Sequence, residues 1–289
     1  MLRDADLIIA LGKPLDFMVG FGETAATGET CRIVQIDHDA SVLDRDRERL
    51  GNRIAIGAQA DPAAALTDLT TGLAGANDAA WRDTVMAAAN HRPAGWQQAA
   101  AKTTRIHPVT VANAVNSVLK AHPATSLTID GGEFGQWSQA CLDAPYSVIN
   151  GPSGAIGGGI AYAIAGKAAR PGEPSIVMMG DGTAGFYLAE FETALRNDLP
   201  FVAIIGNDGK WNAEHQIQAR DYGADRTHSC ELMPTRFDLV VAAMGGFGAY
   251  VTKAEELPKA IDAALASGKA ACINIEIEGL AAPSVKRND

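Results

Sequence analysis

Hydrophobic residues in this chain fall into short apolar runs that end in glycines, separated by stretches with helical periodicity. Ser175-Ile176-Val177-Met178-Met179 is short and β-prone, and predicts a buried parallel strand whose carboxyl end delivers Gly180-Asp181-Gly182. From Gly185 to Asn197 the apolar residues Phe186, Leu188, Phe191, Ala194 and Leu195 recur at helical spacing. Leu199-Pro200 stops that helix before a second strand, Phe201 to Ile205, which ends in Gly206-Asn207-Asp208-Gly209. Upstream, Val109 to Lys120 predicts a helix with one apolar face, and Ser126 to Ile129 a strand ending in the loop Asp130-Gly131-Gly132-Glu133-Phe134-Gly135. The glycine-rich run Asn150 to Ile160 opens a helix of small residues, Ala161 to Ala169. Downstream, Trp211 to Gln218 starts a helix, Arg220 to Gly223 reads as a loop, Phe237 to Met244 as a helix, and Val251-Thr252 and Ile273 to Ile277 as late strands. Gly279 to Asp289 reads as a mobile tail able to fold as a lid.

The amino-terminal region repeats the pattern on a smaller scale. Ala5 to Gly12, Arg32 to Asp37 and Ile54 to Ile56 predict short parallel strands, with a glycine-bounded loop from Lys13 to Gly22. A helix follows at Asp61-Pro62, where Asp caps and Pro takes the first turn. Residues 71–104 are rich in Ala, Gly, Asn and Gln, with Trp81 and Trp96 as isolated anchors. They predict a linker with one or two helices, including Asp78 to Asn90, beside which His91 and His107 read as solvated loop residues. The expected fold class is therefore α/β, in three segments: a partial Rossmann-like domain over 1–75, a linker over 76–105, and a parallel-sheet domain over 106–289.

A strand-helix-strand crossover sets successive strand ends side by side, so Asp181 and Asn207-Asp208 can converge on one cation at the carboxyl edge of the sheet. Hard oxygen ligands suit Mg²⁺, which often completes its octahedron from phosphate oxygens. The glycines around Asp181 allow backbone N–H groups to approach a phosphate, and a helix N-terminus after Thr183 adds a positive dipole. Asp-Gly and Asn-Asp-Gly turns are common singly; together across one crossover they are specific. The Gly131-Gly132 strand end can likewise cradle phosphate, or be a tight turn.

Composition narrows the function classes. A net charge of −10 with no Lys/Arg cluster argues against a nucleic-acid partner. No apolar run reaches the ~18 residues of a membrane span, and Met1-Leu2-Arg3-Asp4 does not start a signal peptide, so a cytoplasmic protein is expected. Cys31, Cys141, Cys230 and Cys272 lack metal-type spacing and read as reduced, mostly buried small hydrophobes. Walker and Gly-x-Gly-x-x-Gly spacings are absent in the right context, against an ordinary nucleotide-binding protein.

Gly180-Asp181-Gly182 followed one crossover later by Asn207-Asp208 resembles the thiamine diphosphate (ThDP) motif of the acetolactate synthase and 2-hydroxyacyl-CoA lyase superfamily. The resemblance implies ThDP and Mg²⁺ as cofactors. By register, Asp181, Asp208 and the backbone carbonyl of Lys210 would hold the metal. The family has Asn where Asp208 stands, which leaves Asn207 as the alternative side-chain ligand. Gly132, Gly180, Gly182 and Thr183 would lie along the diphosphate. The carbonyl of Gly154 would accept a hydrogen bond from the aminopyrimidine, and Ile156 would wedge under the bent cofactor or be a plain core residue. Glu214 falls where decarboxylase relatives place a catalytic carboxylate and acetolactate synthases an apolar residue. There a partly desolvated Glu with a raised pKa would exchange protons with the substrate; the other reading is a solvated helix residue. His215 and Gln216 are weaker candidates for substrate contact. The Gly-x-x-Leu-Asp loop at Gly12 and the Ile-Asp-x-Asp strand end at Ile36 are similar to the later half of the family's central domain, which binds FAD or the ADP part of coenzyme A in some members.

Family members also carry a pyrimidine-binding domain with an activating Glu, for which 289 residues leave no room. The expectation is thus the carboxyl-terminal part of a larger enzyme, or a diphosphate-binding subunit that works with a pyrimidine-domain chain or a missing amino-terminal segment in a homo- or hetero-oligomer. The implied activity is an acetolactate synthase-like C–C lyase or carboligase acting on a small 2-oxo acid, aldehyde or acyl-CoA. A 2-hydroxyacyl-CoA lyase or a 2-oxoacid or oxalyl-CoA decarboxylase is the alternative, and an inactive docking module the non-enzymatic one.

Overall fold

The structure is a computed structural model that describes residues 1–72, 78–150 and 154–284. The chain divides into two compact units, Met1–His91 and Arg92–Asp289.

The first unit is built on a three-stranded parallel sheet, β1 (Leu7–Leu11), β2 (Arg32–Asp37) and β3 (Ile54–Gln59), in the order β1-β2-β3. A 3-10 stretch at Phe17–Gly22 and the one-turn α1 (Thr24–Thr27) fill the first crossover, and α2 (Ala40–Leu50) the second. Asp39 caps α2 by accepting from Ser41 N at 2.8 Å. Buried Asp46 on α2 accepts from the side chains of Gln35 at 2.8 Å and Arg49 at 2.9 Å, so a polar network locks helix to sheet. α3 (Pro62–Gly72) starts at Asp61, which accepts from Ala64 N, as the Asp-Pro pair predicts. α4 (Ala79–Asn90) is capped by Asp78 and buries none of its residues.

The second unit has six parallel strands in the order β5-β4-β6-β7-β9-β8: β4 (Ser126–Asp130), β5 (Tyr146–Ile149), β6 (Ser175–Gly180), β7 (Val202–Asn207), β8 (Phe247–Val251) and β9 (Ala271–Glu276). After α5 (Ala94–Ala100), helices α6 (Pro108–Ala121), α7 (Gly132–Cys141) and α13 (Leu257–Ala266) pack on one face. On the other lie α8 (Gly159–Ala169), α10 (Glu190–Arg196) and α12 (Phe237–Ala243). Coverage of both faces explains the unbroken apolar strands: along β6, Ile176 and Met178 enter one core while Val177 and Met179 enter the other. The chain leaves β4 toward β5 and leaves β6 toward β7. The strand order therefore reverses between β4 and β6, the place where open parallel sheets bind ligands.

Several expected elements are redrawn. The helix expected over 185–197 forms only as α10, behind a single turn, α9 (Asp181–Ala184); between them Phe186 and Tyr187 leave the helical path and pack over Gly157. The loop expected after Ile129 is the start of α7: Gly131 and Gly132, at φ 43° and 71°, turn the chain so sharply that helix begins at once. The loop expected at 220–223 is the last turn of α11 (Asn212–Tyr222), which stops only at Gly223. His107 is not solvated. It is buried, accepts from Val109 N through Nδ1 as the cap of α6, and stacks edge-on against Trp137, which also meets Trp96. The tail is held through its described part: Trp137 Nε1 donates to Ala281 O at 2.9 Å and Asn212 Nδ2 to Leu280 O at 3.0 Å. Residues 285–289 of the expected lid, like Gly151-Pro152-Ser153 of the glycine-rich run and 73–77 of the expected linker, lie outside the described residues.

Met178 is fully buried at the centre of β6, so Met178→Ala is expected to cost about 2–5 kcal/mol through lost burial and a residual cavity. Denaturant unfolding checks this, and a midpoint equal to that of the native chain would refute the packing described.

Candidate functional site

β4, β6 and β7 end at one edge of the sheet. Their register sets Asp130 beside Met179 and Gly180 beside Gly206, so the strand tips are level and the residues that follow face one another. Asp181, almost wholly buried, accepts from its neighbour Gly182 N at 2.9 Å and, across the crossover, from Gly209 N at 2.9 Å. Asp208 accepts from Lys210 N at 3.1 Å in a tight turn. The two loops expected to converge are thus joined by a hydrogen bond.

Electrostatics mark the same spot. Burial pushes the Asp181 carboxyl up to about 6, and burial together with the neighbouring Asp181 charge pushes Asp208 up to about 7. Two carboxylates held in one partly dry place repel each other until a cation or a proton arrives. Among the described residues no three His, Cys, Asp or Glu cluster as a metal cage. Two carboxylates and a backbone carbonyl would leave half of an octahedral Mg²⁺ shell to phosphate and water, in keeping with how that ion is bound beside phosphates.

Asn207 is placed elsewhere. Its amide donates to Thr235 O at 3.0 Å and Asn274 Oδ1 at 3.1 Å inside a buried network, whereas Asp208 lines the cavity. That cavity holds about 150 Å³ and brings together Gly132, Ile156, Gly180, Asp181, Gly182, Thr183, Asp208, Lys210 and Glu214. Gly154, at φ 67° with open space on its side-chain face, is not part of its lining. Glycine is required at two points, Gly182 on the cavity wall and Gly131, next in sequence to the wall residue Gly132. A Cβ on Gly131 would fall 1.9 Å from Thr183 Oγ1, and one on Gly182 2.7 Å from the Trp211 ring.

Glu214 stands on the first turn of α11 and is exposed, which agrees with the reading of a solvated helix residue rather than a desolvated one. The buried glutamate is Glu133 on α7, which lines the same cavity and is only 8% exposed. Burial, and secondarily the Glu214 charge, raise its pKa, while an N–H from Ala282 opposes the rise. Gln136 Nε2 donates to it at 3.1 Å. The only sequence signal for Glu133 was its place one residue after a glycine pair at a strand end. Beside the cavity a larger apolar cleft of about 530 Å³ shares Asp181 and Gly182 and is walled by Phe186, Leu188, Trp211, Leu232, Met233 and Phe237.

Residues 130–275 match the family model described as "Thiamine pyrophosphate enzyme, C-terminal TPP binding domain". The chain belongs to this thiamine diphosphate enzyme family. An acetolactate synthase large subunit of Mycobacterium tuberculosis is 32% identical over 279 residues, covering 95% of this chain and 49% of the relative. A 2-hydroxyacyl-CoA lyase 2 of Xenopus laevis is 30% identical over 262 residues, covering 85% and 39%. The solved thiamine diphosphate-dependent 4-hydroxybenzoylformate decarboxylase of Rhodococcus jostii superposes with a TM-score of 0.73 at 18% identity, over 96% of this chain and 50% of its own, which supports the fold. The chain spans half the length of these relatives or less.

Because folding raises the Asp181 and Asp208 carboxyls, the folded state holds their protons more tightly than the unfolded one. This stabilisation is present below the ordinary carboxylate value and is lost as pH rises through about 4 to 7. Asp208→Asn is therefore expected to raise the metal-free melting temperature at pH 8 by about 5 °C and to flatten its decline with pH. Circular dichroism melts from pH 4 to 8 check this; parallel curves for variant and native chain would contradict the charge pairing.

Proposed function

We propose that the chain is the diphosphate-binding part of a ThDP- and Mg²⁺-dependent carbon–carbon lyase or carboligase of the acetolactate synthase type. A pyrimidine-binding segment or companion chain would complete it in a homo- or hetero-oligomer. The observation that carries this reading is the pairing of Asp181 with the Asp208 turn across the β6–β7 crossover, facing a cavity rimmed by glycine backbone.

The residues present fit the cofactor. Asp181, Asp208 and the Lys210 carbonyl would hold Mg²⁺, whose charge would offset the burial that raises both carboxyls and the Asp181 charge that further raises Asp208. Backbone at Gly132, Gly180 and Gly182 and the Thr183 hydroxyl would bind diphosphate oxygens, and Ile156 and the Gly154 carbonyl would support the ring end. Thiamine diphosphate, when bound, supplies an electron sink for making or breaking a bond next to a carbonyl. The protein's part is to orient the substrate and handle protons. Exposed on the cavity wall, Glu214 would exchange a proton with the substrate oxygen, beside Glu133, whose charged form burial disfavours. The apolar cleft beside Trp211 would take the substrate's carbon chain, a small 2-oxo acid, an aldehyde or an acyl-CoA.

A second reading, a 2-hydroxyacyl-CoA lyase or decarboxylase, is favoured by a carboxylate at Glu214 on the cavity wall. Saturable binding of an acyl-CoA would support it over acetolactate synthesis.

Calorimetric titration of Mg²⁺ and ThDP into the purified chain is expected to show metal-dependent binding that Asp181→Ala abolishes. Binding that survives in the variant, or needs no metal, would overturn the site. The chain alone is expected to bind without efficient turnover, and robust carboligation or decarboxylation by it would refute the need for a completing segment.

A further inference from the structure

Asp130 closes β4 at the point where the strand order reverses, and no role described above uses it. It is 1% exposed. Its Oδ2 accepts the N–H of Gly157 at 3.0 Å and of Gly159 at 2.7 Å, while its Oδ1 is buried with no hydrogen-bond partner. Burial raises its carboxyl above the ordinary range. A buried carboxylate with one oxygen unpaired is a costly residue in a core position, so what its other oxygen holds is the informative part.

That oxygen holds the segment carrying Ile156. Gly157 follows Ile156 directly at φ 104°, and Gly159 is the first residue of α8. The approach is close: a Cβ on Gly159 would fall 2.7 Å from Asp130 Cβ. Without the carboxylate, two N–H groups at the start of α8 would lose their acceptor and the positive-φ turn would lose its tether. Asp181 and Asp208 take their own hydrogen bonds from Gly182, Gly209 and Lys210, none of which belongs to this segment.

We propose that Asp130 is a positioning residue that ties the Gly154–Gly159 segment to the strand-order reversal and so sets where Ile156 stands relative to the Asp181–Asp208 pair. This rests on the ThDP reading and assigns Asp130 to the ring end of the ligand rather than to its diphosphate.

Two probes share the diphosphate and differ in the ring: Mg²⁺ with inorganic pyrophosphate, and Mg²⁺ with ThDP. Both are titrated calorimetrically into the native chain, Asp130→Ala and Asp130→Asn, and hydrogen exchange of peptides over residues 154–160 is followed in the ligand-free proteins. Asp130→Ala is expected to weaken ThDP about tenfold or more, to leave pyrophosphate within about twofold, and to speed exchange over 154–160 but not in β6 and β7. Asp130→Asn keeps an acceptor for both N–H groups and is expected to restore most of the ThDP affinity and the loop protection. Equal weakening of both probes, or native exchange over 154–160 in Asp130→Ala, would overturn the proposal. A native chain that binds pyrophosphate but not ThDP would overturn the cofactor reading and the ring-end role together, while the exchange arm decides the tether by itself.

Discussion

Everything at the carboxyl edge of the second sheet depends on bringing two like charges together in a partly dry place. Water would screen Asp181 and Asp208 if they stood apart on separate loops. The β6–β7 pairing instead makes their strands end level, and the Asp181–Gly209 hydrogen bond closes the gap between the turns. The strands that carry the two turns are packed along their length by two cores, which holds the strand tips level. Two buried carboxyls so placed favour a proton or a cation at the site, and the glycine backbone around them leaves room for the anion that would accompany a cation.

The same constraint explains which residues flank the pair. Gly131 must lack a side chain because Thr183 already fills that space, and Gly182 because the Trp211 ring lies against it. Trp211 in turn stacks edge-on with Phe186, which covers Gly157. A continuous contact therefore runs from the β4 tip through the Asp181–Thr183 turn to the segment bearing Ile156. Loss of any one glycine would push a neighbour into the cavity, so the glycines report on close packing around a ligand site rather than on chain flexibility.

The strands were legible because burial on both faces leaves apolar runs with no other explanation, and β2, β4, β6 and β7 lie within two residues of where those runs put them. Convergence of Asp181 with the Asp208 turn was legible for the same reason, since right-handed crossovers make strand tips neighbours. What hydrophobic spacing could not show was local competition. Phe186 and Leu188 keep helical spacing, yet the chain there follows the packing of Phe186 on Gly157. Gly131-Gly132 looked like a loop because glycines break helices, but their positive φ is what lets α7 start without one. His107 looked solvated because a lone His in a loop usually is; Val109 is its neighbour in sequence, but the ring that covers it, Trp137, comes from α7 and meets it only in the fold.

The assignment of the desolvated carboxylate turned on the same distinction. Glu214 was singled out by its register, and register does place it on the cavity wall, but the first turn of α11 leaves its carboxylate in solvent. Of the two glutamates on the cavity wall, Glu133 is the one that folding dries, with Gln136 and the Ala282 N–H as its partners. A buried acid near an exposed one is a physically asymmetric arrangement: drying disfavours the charged form of Glu133, whereas Glu214 faces solvent on the same cavity wall. Beside Asp181 and Asp208, whose carboxyls burial also raises, a dried Glu133 limits how much negative charge gathers at one cavity.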